Sequence, residues 1–195
     1  MRNSVKMVFF FFRLPEMFAN ISPEVLARAR EVKLLILDVD GVLTSGQLFM
    51  ASDGDIIKAF NTLDGHGVKM LQESGVQTAI ITARNDNAVR YRAEQLGITH
   101  YLHGQHDKKK AYFELLQQAD VAQNQCAMVG DDVIDLPILS RCGFPVAVAN
   151  AHEFVQQHAV WVTKKNGGFG AVREVTDFIM HAQGTLQAAL ERYLV

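Results

Sequence analysis

The chain has 195 residues, 49% of them hydrophobic, with 19 Lys and Arg set against 21 Asp and Glu for a formal net charge of −2. That length buries one sizeable core and is too short for two comfortable domains. The near-neutral balance leaves no electrostatic footprint for nucleic acid, and the absence of a long Lys/Arg block argues against an anionic membrane surface, so any charged substrate must be met by local chemistry.

Met7–Phe12 is a short apolar run that follows Arg2 and Lys6. It is shorter than a signal-peptide core, is interrupted by Arg13 and Pro15, and is far too short to span a bilayer. Residues 1–16 therefore read as an upstream extension and Met17 as the start, with one domain over 17–195. Ser22-Pro23-Glu24 reads as an N-cap with proline at the first helical position, opening a short helix to about Glu31. Lys33–Asp38 is a near-continuous apolar run of strand length, suited to a central parallel strand. Gln47–Phe60 breaks the pattern: two short strand-like pieces flank Ser52-Asp53-Gly54, a hairpin turn signal, and would project as a flap above the first strand's end. Beyond it, strands at Thr78–Thr82, Thr99–His103, Ala127–Val129, Val146–Ala149 and Val160–Thr163 alternate with helical patterns. Those patterns cover Asp64–Ser74, Asn87–Leu96, Lys108–Ala119, Asp132–Arg141 and Ala171–Gln183, and Gly75, Gly97, Gly143 and Gly184 follow four of them, where a helix end favours a left-handed residue. The alternation predicts an α/β fold, a Rossmann-like parallel sheet with helices on both faces and ligands beyond the carboxyl ends of the strands. In the tail, 184–195, Leu186, Leu190 and Leu194 form an apolar stripe with Ala189 and Tyr193 beside it and no obvious partner in its own core. The tail either folds back on its own subunit, frays, or lies against a neighbour and helps close its site.

Chemistry concentrates where the strands end. Asp38 and Asp40 close the first strand, and side chains two apart on an extended segment face the same side. The Ala127–Val129 run finishes in Gly130-Asp131-Asp132, with Asp135 following. Five carboxylates on one rim require a cation, and hard oxygen ligands suit Mg2+ rather than zinc. His100, His103 and His106 straddle a strand-to-loop boundary and read as solvated loop histidines. Cys126 and Cys142 follow no metal or redox spacing and read as inert thiols in a reducing compartment. Thr82 at a strand end and Lys108 at a helix opening are a hydroxyl and an ammonium of the kind that stabilises a phosphoryl group in transfer.

In sequence order, Asp38-Val39-Asp40-Gly41-Val42-Leu43-Thr44, then Thr82, Lys108 and Gly130-Asp131-Asp132 with Asp135, resemble the four motifs of the haloacid dehalogenase superfamily. Lys58-Ala59-Phe60-Asn61, Asp64-Gly65 with Gly67, Leu96-Gly97-Ile98, Gly104-Gln105, Val146–Ala151 and Gly170–Glu174 extend the resemblance to the capless 3-deoxy-D-manno-octulosonate 8-phosphate (KDO 8-phosphate) phosphatases. It spans about residues 30–185. The resemblance implies that Asp38 attacks phosphorus and that Asp40 serves as general acid and then general base. It also implies Mg2+ on Asp38, Asp131 and the backbone carbonyl of Asp40, with Asp132 and Asp135 in support, and Thr82 and Lys108 on the phosphoryl oxygens. Substrate contacts are implied at Asp40, Asn61, Thr62, Leu63, Asp64, Gly65, Lys69, Arg84, Arg92 and Lys108. The chain departs from the family at Leu63, where many members carry arginine, at Ala83, where glycine is usual, and at Phe169, often a polar position. Lys69 is a candidate for the missing charge.

The intervals from Asp40 to Thr82 and from Arg84 to Lys108 leave no room for a cap domain, so the hairpin and a neighbouring subunit are the available shelter. The family resemblance implies a homotetramer in the cytoplasm, working in lipopolysaccharide biosynthesis with no nucleic-acid or membrane partner. Two alternatives stand beside that reading: a phosphatase of a nine-carbon sialic-type sugar acid 9-phosphate, and a non-catalytic oligomerisation module.

Overall fold

The structure, a computed structural model, describes residues 18, 20–52 and 54–194; the expected extension over 1–16, the start at Met17, and Asp53 of the hairpin turn lie outside the described residues. Ser22 Oγ accepts a hydrogen bond from the Val25 N–H and Pro23 occupies the first turn, so α1 runs Pro23–Arg30 as the cap signal predicts. Strand β1 (Leu34–Leu37) follows and is buried at every position. The chain then forms a small antiparallel hairpin from β2 (Phe49–Met50) and β3 (Ile56–Ile57), pairing Phe49 with Ile57 and Met50 with Ile56.

From there helix and strand alternate: α2 (Thr62–Glu73), β4 (Gln77–Ile81), α3 (Asn87–Leu96), β5 (His100–Leu102), α4 (Lys108–Ala119) and β6 (Cys126–Gly130). Strand β7 (Phe144–Ala147) and β8 (Trp161–Val162) complete a six-stranded sheet of order β5-β4-β1-β6-β7-β8, parallel at every pairing. Since β1 lies at the centre, its unbroken apolar run is the pattern expected of a strand covered on both faces. Helix α7 (Ala171–Ala182) packs on α2 and α1, and α4 packs on α5 (Leu136–Leu139), so two helical groups flank the sheet.

The expected single helix over Asp132–Arg141 is instead a 3-10 turn at Val133–Asp135 followed by the short α5. Asp132 caps the turn through a bond from the Val133 N–H, and Pro137 stands in the first turn of α5, where its missing N–H costs nothing. A one-turn helix α6 (Glu153–Gln156), too short to show periodicity, was not foreseen. In the tail, α8 (Leu186–Glu191) turns the apolar stripe back onto its own domain. Leu186 is 2% exposed, Ala189 and Leu190 pack against the core, Tyr193 Oη meets His66 Nε2 at 2.8 Å, and Arg192 pairs with Glu73. Leu186 and Leu190 therefore have a partner in their own core that the sequence did not reveal, while Leu194 stays exposed. Among the described residues no helix is long and apolar enough to cross a membrane.

Candidate active site

Register places the acids. Leu37 lies level with Ile80 on β4 and Val129 on β6, so Asp38 leaves the sheet beside the ends of both neighbours. Its N–H still bonds to the Val129 carbonyl at 3.2 Å, and the chain then turns sharply. The N–H groups of Val42, Leu43 and Thr44 all point at the Val39 carbonyl, and Thr44 Oγ1 donates to the same oxygen at 3.2 Å. Gly41 makes this turn possible with φ +98°, and a Cβ there would overlap the Asp131 carboxylate. Thr44 and Gly41 are thus the supports that hold Asp38, Asp40 and Asp131 together.

Asp38, Asp131 and Asp135 each offer a carboxylate oxygen within 4.8 Å of the others. Burial, and then the negative charges of Asp38, Asp135 and Asp132, push the Asp131 carboxyl up to about 8. Burial and the Asp135 charge likewise lift Asp38 to about 6, against the pull of Lys108. Carboxyls this reluctant to ionise mark a place where positive charge is wanted. Lys108 supplies part of it: its Nζ donates to Asp38 Oδ1 and to Asp135 Oδ1, both at 2.6 Å. Burial disfavours the ammonium, yet the two flanking carboxylates prevail and raise its pKa. Asp135 is fully occupied, since its other oxygen accepts from the N–H of Asp131 at 3.0 Å. It fits a supporting role and leaves Asp38 and Asp131 as open ligands. Asp132, expected beside it in support, is exposed and spends its carboxylate on the cap of the 3-10 turn, reaching the rim through its charge and through its N–H, which donates to Asp135 Oδ2 at 3.5 Å. An all-oxygen set with open positions fits Mg2+ and not the thiolate or imidazole chemistry of zinc.

Asp40 stands slightly outside this cluster, between two cations. Lys58 Nζ approaches its two oxygens at 2.6 and 2.8 Å, and Arg84 Nε lies 3.2 Å from Oδ2. Thr82 is buried at the end of β4, with Oγ1 accepting from the Arg84 N–H at 3.2 Å. The structure therefore brings Asp38, Asp40, Thr82, Arg84, Lys108 and Asp131 to one rim.

The expected substrate contacts divide. Asp64 is buried and accepts from the N–H groups of Gly170 at 3.3 Å and Arg173 at 2.8 Å, so it caps α7 instead of facing a ligand. Gly65 is a packing position: a Cβ there would collide with the Arg92 guanidinium. Arg92 in turn bonds to the Asn61 carbonyl at 3.1 Å and Gln95 Oε1 at 2.6 Å, pinning α3 to the start of α2. Asn61 caps α2 through a bond from the Leu63 N–H and donates to the Gly168 carbonyl at 3.3 Å. Lys69 is exposed two turns along α2. Thr62 and Leu63 are exposed on the first turn of α2, and Leu63, 57% exposed, shares a groove of about 560 Å3 with Phe169 and Trp161. That groove includes none of Asp38, Asp40, Lys108 or Asp131 and lies outside the chemistry. Sequence reading assigned no task to Lys58 or Asp86, whose ion pair at 2.7 Å adjoins Asp40.

A buried aspartate at the end of a central parallel strand, a lysine across it and an acid pair beside it define a carboxylate-based phosphoryl-transfer hydrolase. A family model described as haloacid dehalogenase-like hydrolase matches residues 101–175. The chain is 44% identical over 172 residues to the 3-deoxy-D-manno-octulosonate 8-phosphate phosphatase of Escherichia coli, covering 88% of this chain and 92% of that protein. The crystal structure of the same enzyme from Yersinia pestis superposes with a TM-score of 0.84 at 45% identity, over 86% of this chain and 90% of that one. The Moraxella catarrhalis enzyme, solved with magnesium ion, phosphate ion and KDO, gives 0.85 at 39% identity, over 87% and 98%. The chain belongs to the 3-deoxy-D-manno-octulosonate 8-phosphate phosphatase family of haloacid dehalogenase-like hydrolases.

Proposed function

We propose that this chain hydrolyses 3-deoxy-D-manno-octulosonate 8-phosphate to the free sugar acid and phosphate, as a magnesium-dependent phosphoric monoester hydrolase serving lipopolysaccharide biosynthesis. The observation that carries this reading is the rim of Asp38, Asp40, Lys108 and Asp131, intact in a chain 44% identical to enzymes of that name. Asp38 and Asp131, with the Asp40 carbonyl, hold Mg2+, whose charge lets an anionic nucleophile approach an anionic phosphoryl group.

A carboxylate oxygen of Asp38 bonds to phosphorus as the phosphorus–oxygen bond to the sugar breaks. The bond pair departs on the sugar oxygen, which takes a proton from Asp40. Water then attacks the aspartyl-phosphate, gives a proton back to Asp40, and the bond pair returns to Asp38 as phosphate leaves. Lys108 and Thr82 steady the phosphoryl oxygens through both steps, and Arg84 faces the sugar acid.

The domain, taken as 17–195, has no cap among its described residues, and the hairpin carries the exposed side chains of Leu48, Phe49, Met50 and Ile57 beside the rim. Covering them with copies of the same chain supports a homo-oligomer, a tetramer by family likeness, working in the cytoplasm. A phosphate-release panel of the octulosonate 8-phosphate, a nine-carbon sialic-type 9-phosphate and p-nitrophenyl phosphate tests the reading. The octulosonate ester should give the highest kcat/KM, with activity lost to chelator and restored by Mg2+. Preference for the nine-carbon ester, or no release from any, would overturn it.

A further inference from the structure

Lys58 follows the hairpin by one residue, and its side chain is 0% exposed. Burying a lysine side chain costs its hydration, and here two carboxylates from different parts of the fold offset that cost. Asp40 comes from the turn after β1, with Lys58 Nζ at 2.6 and 2.8 Å from its oxygens, and Asp86 from the loop before α3, at 2.7 Å. Asp86 is the N-cap residue of α3, yet its side chain makes no capping bond. It gives up the usual task of a capping aspartate and turns to Lys58 instead. Arg84 Nε meets Asp40 from another side at 3.2 Å, while the Asp40 side chain keeps a quarter of its surface, 24%, open. Lys58 thus meets both carboxyl oxygens and Arg84 one of them, and the group is held by cations while a part of the side chain stays open.

We propose that Lys58 is the positioning residue for Asp40: it aims the carboxyl at the oxygen leaving phosphorus and at the incoming water, and Asp86 anchors Lys58 in turn. The assignment rests on the phosphatase reading above, in which Asp40 moves both protons. An alkoxide is a poor leaving group and needs its proton as the bond breaks, whereas nitrophenolate does not. Water activation is needed for either ester. Misaiming Asp40 therefore slows the first step only for the sugar ester, and the second step for both.

The test is rapid-mixing kinetics with Mg2+ on the full chain, its Lys58→Met and its Asp86→Asn variants, each checked for folding by circular dichroism. Lys58→Met should lower kcat on the sugar phosphate by about 100-fold, the scale of a displaced catalytic group, with a smaller change in KM. On p-nitrophenyl phosphate it should release a burst of one nitrophenolate per site and then turn over slowly. Asp86→Asn keeps the contact between Lys58 and Asp40, and should show no burst and a smaller loss. If methionine prevents folding, Lys58→Gln carries the same expectation. A Lys58 variant without a burst, or an Asp86→Asn burst as large as that of Lys58→Met, overturns the assignment and leaves only a structural tie for the hairpin. A wild-type chain that releases phosphate from neither ester would instead overturn the phosphatase reading.

Discussion

Asp38 and Asp131 hold their protons more tightly than an ordinary aspartate at 3.8, at about 6 and about 8, because both are buried beside other acids. A carboxyl raised on folding favours the folded state while protonated, and that contribution fades as pH climbs through its folded value. The metal-free protein should therefore melt at a higher temperature well below pH 6 than above pH 8, and Mg2+ should raise Tm more at the higher pH. Thermal melts with and without chelator check this, and an Mg2+ increment independent of pH would contradict it. Cys126 and Cys142 are pushed up to about 12, chiefly by burial, which matches the inert thiols expected of them. Asp38, Asp40 and Asp131 were legible because a strand end is a readable place and carboxylates there stand out against apolar runs. Lys58 was not, since a lysine flanking a hairpin ordinarily faces water and its partners are far away in sequence. Asp64, which the family resemblance implies as a substrate contact, is a similar case, because the N–H groups it accepts from lie 106 and 109 residues further on.

The strands and long helices follow their sequence patterns closely, because period and caps are local signals. Asn61, Asp107 and Ser22 each cap the helix they precede. What local signals could not convey was how short elements dock. The tail stripe was readable as a helix, but the face it would cover depends on His66 and Glu73 of α2, which carry no apolar signature. Its residues should now differ sharply in weight. Leu186→Ala removes a side chain 2% exposed and should cost about 2–4 kcal/mol in denaturant unfolding. Leu194→Ala, at a residue 83% exposed, should stay within about 0.5 kcal/mol. Equal costs at the two positions would show that α8 does not seat as described.

At the scale of the molecule, the sheet order puts β1 at the centre and its acids between the ends of β4 and β6, the position where parallel α/β sheets bind ligands. Among the described residues no cap occupies the interval between Asp40 and Thr82, where the elements are the hairpin, α2 and β4. Sequence length alone made that absence readable. The exposure of the hairpin's apolar side chains was not readable, because Phe49, Met50 and Ile57 look like core residues until the fold shows them unburied. If phosphate passes through Asp38, the aspartyl-phosphate can be trapped and located. Asp40→Asn, mixed with p-nitrophenyl phosphate, whose leaving group needs no proton from Asp40, and with Mg2+, then quenched in acid, should carry one phosphoryl group per chain by intact mass. Peptide mapping should place that group on Asp38, and the Asp38→Asn chain should carry none and turn nothing over. A phosphoryl group on another residue, or turnover by Asp38→Asn at the wild-type rate, would contradict the account.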